Sequence, residues 1–199
     1  MDAFSEDNTR RLVAFRRAAA RVHDVLDRHR GQRFSFSIGP PGPGREEFEG
    51  LPEDTFVRLI TDVRLVYLAK QEAYFPRVFN VVRARLDPSL HEHLDIVKTN
   101  WELAQGRGVH FYSNGISMST REAFEAYMHG ELFHQDPKHL KRAELVRRFG
   151  YSSLFELQMM TWALAQTIIQ LDGFLAYILS EEPLPLGPDI AGWLRARAL

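Results

Sequence analysis

The segment Ser153–Leu179 constrains the fold most strongly, because apolar side chains cover nearly every side of it. Its densest stripe repeats at spacings of three and four and consists of Leu157, Met160, Leu164, Ile168, Leu171, Leu175 and Ile178. Phe155, Trp162 and Ile169 add apolar surface on other sides. A helix that is apolar all round has to be buried by its neighbours. The sequence therefore predicts a mainly α protein, a helical bundle built around this long helix.

Three further stretches have the periodicity of amphipathic helices. One runs from about Ser5 to His29, the next begins near Pro52, and the last ends at Gly106. Pro76 is predicted to kink or break the second, because proline lacks the amide hydrogen that a helix interior needs. The residues expected to face the core are Leu12, Phe15, Ala19, Val22 and Leu26 in the first, Phe56, Leu59, Ile60, Val63, Val66 and Tyr67 in the second, and Leu90, Leu94, Val97, Trp101 and Ala104 in the third.

Two short segments are predicted to form a small antiparallel sheet, residues 34–38 and 109–118. The first alternates apolar and small polar residues, as a half-buried strand does. The second contains Asn114-Gly115, a strong signal for a tight β-hairpin turn. Between them, residues 39–50 are rich in proline and glycine and are predicted to be a flexible loop. An extended tail is expected from about residue 181, and the whole chain, 1–199, is expected to be a single α-helical domain.

Composition excludes several classes of protein and site. The chain has no cysteine, which removes disulfides, thiolate nucleophiles and cysteine-ligated metals. A formal net charge of −1 argues against a surface that is basic throughout. The N-terminus is acidic rather than apolar, and glutamine and threonine interrupt the segment between Glu156 and Asp172, so neither a secretory signal nor a membrane span is expected. The predicted location is the cytoplasm.

Polar groups suited to chemistry concentrate in residues 127–136. Tyr127, Glu131 and His134 share one face of a helix that starts at a capping box, and Glu131 and His134 have the spacing of carboxylate–histidine sites in helical bundles. A di-metal site needs a second such pair, which the sequence lacks. Asp136 precedes Pro137 as the N-cap of the next helix. These four residues are therefore predicted to be either a mononuclear metal or enzyme site, or a polar brace at a helix end.

Basic residues form two candidate surfaces for phosphate groups. Arg10, Arg17, Arg21 and Arg28 fall on the face of the first helix that lies opposite its apolar stripe. The segment 138–148 is also strongly basic. Guanidinium forks suit bidentate contacts with phosphate, so a nucleic-acid interface is one interpretation. The other interpretation is an ordinary solvated helix face.

The leading hypothesis for function is a binding or regulatory protein that engages a protein partner, or another copy of itself, through its helix faces. Phe4 and Trp193 are expected to be exposed aromatic residues available for such contacts. An enzyme or mononuclear metal protein with its site at residues 127–136 is the first alternative, and a nucleic-acid-binding protein is the second. The sequence assigns no metal ion and no cofactor, it predicts no membrane association, and it leaves open whether the protein is an enzyme.

Overall fold

Helices dominate the structure, a computed structural model that describes residues 4–28, 35–38, 46–49, 53–106, 111–113, 116–118, 122, 124–125, 128 and 151–179. The elements in these ranges are α1 (Glu6–Arg28), β1 (Ser35–Ile38), β2 (Glu46–Glu49), α2 (Glu53–Tyr67), α3 (Phe75–Arg83), a 3₁₀ turn (Pro88–Leu90), α4 (His91–Gly106), β3 (Phe111–Ser113), β4 (Ile116–Met118) and α5 (Tyr151–Ile178). The predicted mainly helical fold is confirmed.

Helix α1 begins where a serine can satisfy its first amides. Asn8 N donates to Ser5 Oγ at 3.3 Å, and Thr9 N donates to Ser5 O at 2.9 Å. Acidic residues in the first turn and Arg28 in the last complement the helix dipole. The five residues predicted to face the core are all buried, together with Ala18 and Val25.

Helix α2 has the predicted buried face, but it ends well before Pro76. It stops at Tyr67, and the chain passes through successive turns in which Gln71 N donates to Leu68 O and Tyr74 N donates to Gln71 O. Pro76 then lies in the first turn of α3. The missing amide hydrogen costs nothing there, because the first helical amides have no partner within the helix. The proline therefore starts a new helix rather than bending an old one.

Helix α4 is preceded by a capped 3₁₀ turn. Asp87 Oδ1 accepts hydrogen bonds from Ser89 N at 2.8 Å and from Ser89 Oγ at 2.7 Å. His91 Nε2 lies 3.1 Å from Arg83 O and 3.2 Å from Leu86 O. The ring therefore contacts one carbonyl oxygen at the end of α3 and one just after it. Arg83 also forms an ion pair with Asp95 on α4. These contacts join the end of α3 to the start of α4.

Helix α5 is buried almost all round, as its composition predicts. Within residues 157–179, Met159 and Leu179 are the exposed positions. The buried hydroxyl groups of Thr161 and Thr167 donate to the carbonyl oxygens of Leu157 and Leu164, which removes the cost of burying them. Among the helices in the described ranges, none is long and apolar enough to cross a membrane.

The predicted sheet that joins residues 34–38 to residues 109–118 is wrong. Strand β1 pairs antiparallel with β2, from Ser35 opposite Glu49 to Ile38 opposite Glu46, while β3 pairs separately with β4. Strand β2 falls inside the predicted loop 39–50. Its sequence is Glu-Glu-Phe-Glu. Glutamate is depleted in strands, so this segment lacks the apolar pattern from which a strand would be predicted. The remainder of that loop and the tail from about residue 181 lie outside the described residues.

By the density of its internal contacts the chain divides into two compact units. The first comprises Met1–Arg30, Asp62–Glu102 and Ala163–Leu199, and the second comprises Gly31–Thr61 and Leu103–Trp162. Buried residues of the second unit are Thr55, Phe56, Leu59, Ile60, Ala104, Phe124, Met128, Leu157, Gln158, Met160 and Thr161.

Within the first unit, α1 packs against α3 and four rings form a cluster. We call Tyr67, Phe75, Phe79 and Trp101 the Trp101 cluster. The Trp101 ring stacks on Phe75 with centroids 4.1 Å apart and planes 1° from parallel, and Tyr67 tilts against it at 6.1 Å. The cluster joins α2, α3 and α4 through large, fully packed side chains.

Candidate functional site

The polar group predicted at Tyr127, Glu131, His134 and Asp136 lies outside the described residues, as do the basic segment 138–148 and Trp193. All three remain predictions. Phe4 is described and is half-buried, with the Arg85 guanidinium 4.8 Å above its ring. That ring already has a cationic partner within the chain, so it is not the bare aromatic contact that the sequence predicted.

The four arginines predicted to share one face of α1 are all exposed. Three of them have a carboxylate beside them: Arg10 lies 3.4 Å from Asp7, Arg28 lies 2.7 Å from Asp24, and Arg21 Nε donates to Asp62 Oδ1 at 2.6 Å. Arg17 makes no ion pair with a described residue. A phosphate at this face would have to compete with three carboxylates, and the nucleic-acid interface stays a prediction.

A cavity of about 290 Å³ lies between α1 and α5, entirely within the first unit. We call it the α1–α5 cavity. It is lined by Arg16, Ala19, Ala20, His23, Ile169, Asp172 and Ala176. The α1 residues follow spacings of three and four, and so do the α5 residues, so each helix presents one face to it. Its size is near the lower end for small-molecule sites.

The cavity exists because its helical walls carry small side chains. Three of the seven lining residues are alanine, and Ala19 and Ala176 are buried. Alanine adds a single methyl group at each position, so the two helix faces leave space that leucine or phenylalanine would fill. The three alanines therefore help to keep the space between the two helices open.

An ion pair between the two helices contributes to the cavity wall. Arg16 Nε lies 3.1 Å from Asp172 Oδ1, and the two side chains are 35% and 24% exposed. The Oδ1 atom itself is buried from solvent. Partial burial strengthens the attraction between the charges relative to a pair in bulk water. Any ligand in the cavity would meet both a guanidinium and a carboxylate.

His23 is the third ionisable group in the lining. Its Nδ1 lies 2.9 Å from Asp27 Oδ2, one helical turn further along α1. A carboxylate at that distance favours the tautomer with a proton on Nδ1, which leaves Nε2 as the ring nitrogen for a ligand. His23 thus adds an exposed ring to the polar groups of the lining. Among the residues that the structure describes, there is no group of three or more histidine, aspartate or glutamate side chains placed to hold a metal ion.

Reasoning from the sequence did not bring the three ionisable groups of the cavity together. Asp172 had a visible signal, since it is the single charged residue between Leu157 and Ser180 in the most apolar segment of the chain. Arg16 had a weaker one, because it follows Phe15 directly at the edge of the apolar stripe of α1. A charge in an apolar setting needs a partner or a ligand. Which partner each one meets depends on how the helices pack.

No protein-family model, no curated protein and no solved structure matches this chain.

Proposed function

We propose that this is a cytoplasmic binding protein, built on a helical bundle, that holds a small charged molecule in the α1–α5 cavity. The observation that carries the proposal is the ion pair between Arg16 and Asp172 in the wall of a cavity of about 290 Å³. Small-molecule sites are concave and mostly apolar, with a few convergent polar groups that fix the ligand's orientation. The alanine and isoleucine walls with three ionisable side chains have that character.

Binding accounts for the lining better than nucleophilic catalysis does. The seven lining residues include no serine, threonine, lysine or cysteine. Arg16 and Asp172 place opposite charges in the wall, and His23 is oriented by Asp27, so the lining offers charged and hydrogen-bonding groups to a ligand. The faces of α1 and α5 are, in this proposal, the helix faces through which the protein engages its ligand.

Methyl NMR on the full chain tests the proposal directly. Protein labelled at alanine methyl groups reports on Ala19, Ala20 and Ala176 in the cavity and on Ala73, a buried alanine outside it. We expect at least one compound from a panel of amino acids, carboxylates, amines and sugar phosphates to shift the three cavity methyls and leave Ala73 unchanged. A panel in which no compound shifts the cavity methyls, or in which Ala73 moves equally, contradicts the proposal.

A matched pair of variants locates the binding. Ala176→Leu places a larger side chain in the cavity and is expected to abolish the shifts at Ala19 and Ala20. Ala163→Leu makes the same substitution on the same helix at a half-buried position outside the lining, and is expected to preserve them. Equal loss of binding in both variants would place the ligand elsewhere.

A further inference from the structure

We propose that one face of α4 binds a basic amphipathic helix of a partner protein. The face consists of Glu92, Ile96, Thr99 and Leu103, and we call it the Ile96 face. All four side chains are exposed. None of these residues lines the α1–α5 cavity, so this surface is separate from the proposed ligand site.

Two large apolar side chains on the Ile96 face are open to solvent. Ile96 is 49% exposed and Leu103 is 59% exposed, the two highest values among the large apolar side chains of the described ranges. Leu103 follows Ile96 by seven positions, or about 700° of helical rotation, so the two lie within about 20° of each other and about 10 Å apart along the axis. Single apolar residues scattered on a surface are ordinary, whereas an aligned pair forms a stripe that a second helix can cover.

The hydroxyl group between the two apolar side chains is already bonded. Thr99 lies near the middle of the stripe, and its Oγ1 donates to Asp95 O at 2.9 Å. A partner that covers Thr99 therefore does not leave the hydroxyl proton without an acceptor, which lowers the cost of removing this group from water. The centre of the face can thus be covered by an apolar surface.

The charges of α4 determine the sign of the partner. The helix carries three carboxylates, those of Glu92, Asp95 and Glu102, and one ammonium, that of Lys98. Asp95 and Glu102 each have a cation beside them, Arg83 and Lys98, whereas Glu92 makes no ion pair with a described residue. Lys98 lies about 150° around the helix from the apolar pair. The Ile96 face is therefore acidic.

An apolar stripe with an acidic border fits one kind of occupant. A nucleic acid or an anionic membrane would bring phosphate groups beside Glu92, and a second copy of the same face would oppose carboxylate with carboxylate. Like charges brought together at an interface weaken it. A helix with leucine residues seven positions apart and lysine or arginine beside them covers Ile96 and Leu103 and places opposite charges at the border.

Two synthetic helical peptides test the sign of the partner. Both repeat leucine at heptad spacing, and the flanking positions carry lysine in one and glutamate in the other. Binding to the full chain is measured by NMR of isoleucine and leucine methyl groups. We expect the lysine peptide to shift the methyl signals of Ile96 and Leu103 and to leave the buried Ile168 unchanged. It should bind at least about tenfold more tightly than the glutamate peptide, and its affinity should fall as salt rises.

Matched substitutions locate the binding. Ile96→Ser is expected to weaken the lysine peptide by about threefold to tenfold, because a half-exposed apolar side chain is lost from the interface. Val13→Ser is the control on another helix, since Val13 of α1 is 44% exposed, and it is expected to leave the affinity unchanged. Glu92→Gln should weaken the lysine peptide and reduce its salt dependence, whereas Lys98→Gln should leave the affinity equal or tighter.

Several results would overturn the proposal. Equal affinity for the two peptides, tighter binding of the glutamate peptide, or no shift at Ile96 and Leu103 with either peptide would each do so. Equal losses of affinity in Ile96→Ser and Val13→Ser would place the peptide elsewhere. Thermal unfolding checks that each variant is folded. Because Ile96 is exposed, an Ile96→Ser variant that fails to fold would contradict the open face itself.

Discussion

The Trp101 cluster and the α1–α5 cavity lie in the same unit of the chain and are built from equally regular helices, yet one is filled and the other is open. Trp101 is 3% exposed and stacks flat on Phe75 at 4.1 Å. At the cavity, three of the seven lining positions of α1 and α5 carry alanine, and a volume of about 290 Å³ stays open. The spacing of apolar residues decides which face turns inward, whereas side-chain volume decides whether that face is filled.

The two regions also differ in how far their ion pairs are exposed to solvent. The Arg83–Asp95 pair ties α3 to α4, the helices of the Trp101 cluster, but both side chains are more than a third exposed. Arg16 and Asp172 line the cavity, and Oδ1 of Asp172 is closed off from solvent. A filled region contributes packing contacts to stability. The cavity lacks such contacts and, in the proposed function, has room for a ligand. Stability measurements should therefore separate the two regions.

The largest effect is expected from Trp101→Ala. Removing a buried tryptophan takes away its stacking on Phe75 and leaves a void, which costs about 3–5 kcal/mol of unfolding free energy. Urea denaturation measures it, with Ile96→Ala as the control, because Ile96 lies on the same helix and is 49% exposed. The control should change stability by no more than about 0.5 kcal/mol. A loss below about 2 kcal/mol in the tryptophan variant would mean that the Trp101 cluster is not tightly packed.

The same enlargement at two alanines should have opposite outcomes. Ala18 on α1 is fully buried and does not line the cavity, so Ala18→Leu overpacks the core and costs about 1–3 kcal/mol. Ala176 lines the cavity, so Ala176→Leu gains apolar burial and changes stability by between zero and about +1 kcal/mol. Thermal or urea unfolding of both variants measures the difference. Equal destabilisation would show that the space at Ala176 is not accessible to a side chain.

Much of the fold was predictable because it depends on local regularities. All seven stripe residues of α5, all six of α2 and all five of α4 with its 3₁₀ turn are buried, as their periodicity predicts. Strand β2 escaped prediction since its register is set by backbone pairing with β1 and not by an apolar pattern. The early end of α2 at Tyr67 escaped as well, because the turns that follow it are set by backbone hydrogen bonds such as that from Gln71 N to Leu68 O.

The candidate site was much less predictable than the fold. The lone charge of Asp172 in an apolar helix could have been singled out from the sequence. Its partner could not, since Arg16 lies more than 150 residues earlier and is one of six arginines in α1. An unfilled volume between two helices leaves no pattern in either of them. It is a property of how the two faces meet, and that is decided by tertiary packing.

A smaller effect is expected from breaking the ion pair of the cavity wall. Arg16→Gln, Asp172→Asn and the double variant form a cycle whose coupling energy should not exceed about 1 kcal/mol, because both side chains are partly solvated. Urea denaturation at low and high salt measures it, and the coupling should shrink as salt rises. The Arg21–Asp62 pair, with 50% and 14% exposure, is the matched cycle. A coupling of several kcal/mol would mark the cavity pair as a structural element that a ligand cannot readily open.

The smallest effect is expected at Asp87, at the start of the helix that carries Trp101. The side-chain hydroxyl of Ser89, followed by its backbone N–H, lowers the pKa of the Asp87 carboxyl, with a smaller contribution from the charge of His91. Because the pKa is lower in the folded state, the unfolded chain binds the proton more readily. The stabilisation is therefore complete above the unfolded pKa, about 3.9, and is lost as pH falls through the folded value.

Two variants expose this contribution. Asp87→Asn should be slightly less stable than the parent at neutral pH, and the difference should vanish at strongly acidic pH. Ser89→Ala should bring the pKa of Asp87 back toward its ordinary range, read from the carboxyl carbon shift by NMR, because it removes the first of the two hydrogen bonds. A pKa that is normal in the parent, or that does not respond to Ser89→Ala, would contradict the cap. Neither change should alter the packing of the Trp101 cluster, since that packing depends on the rings and the cap only orders the first turn.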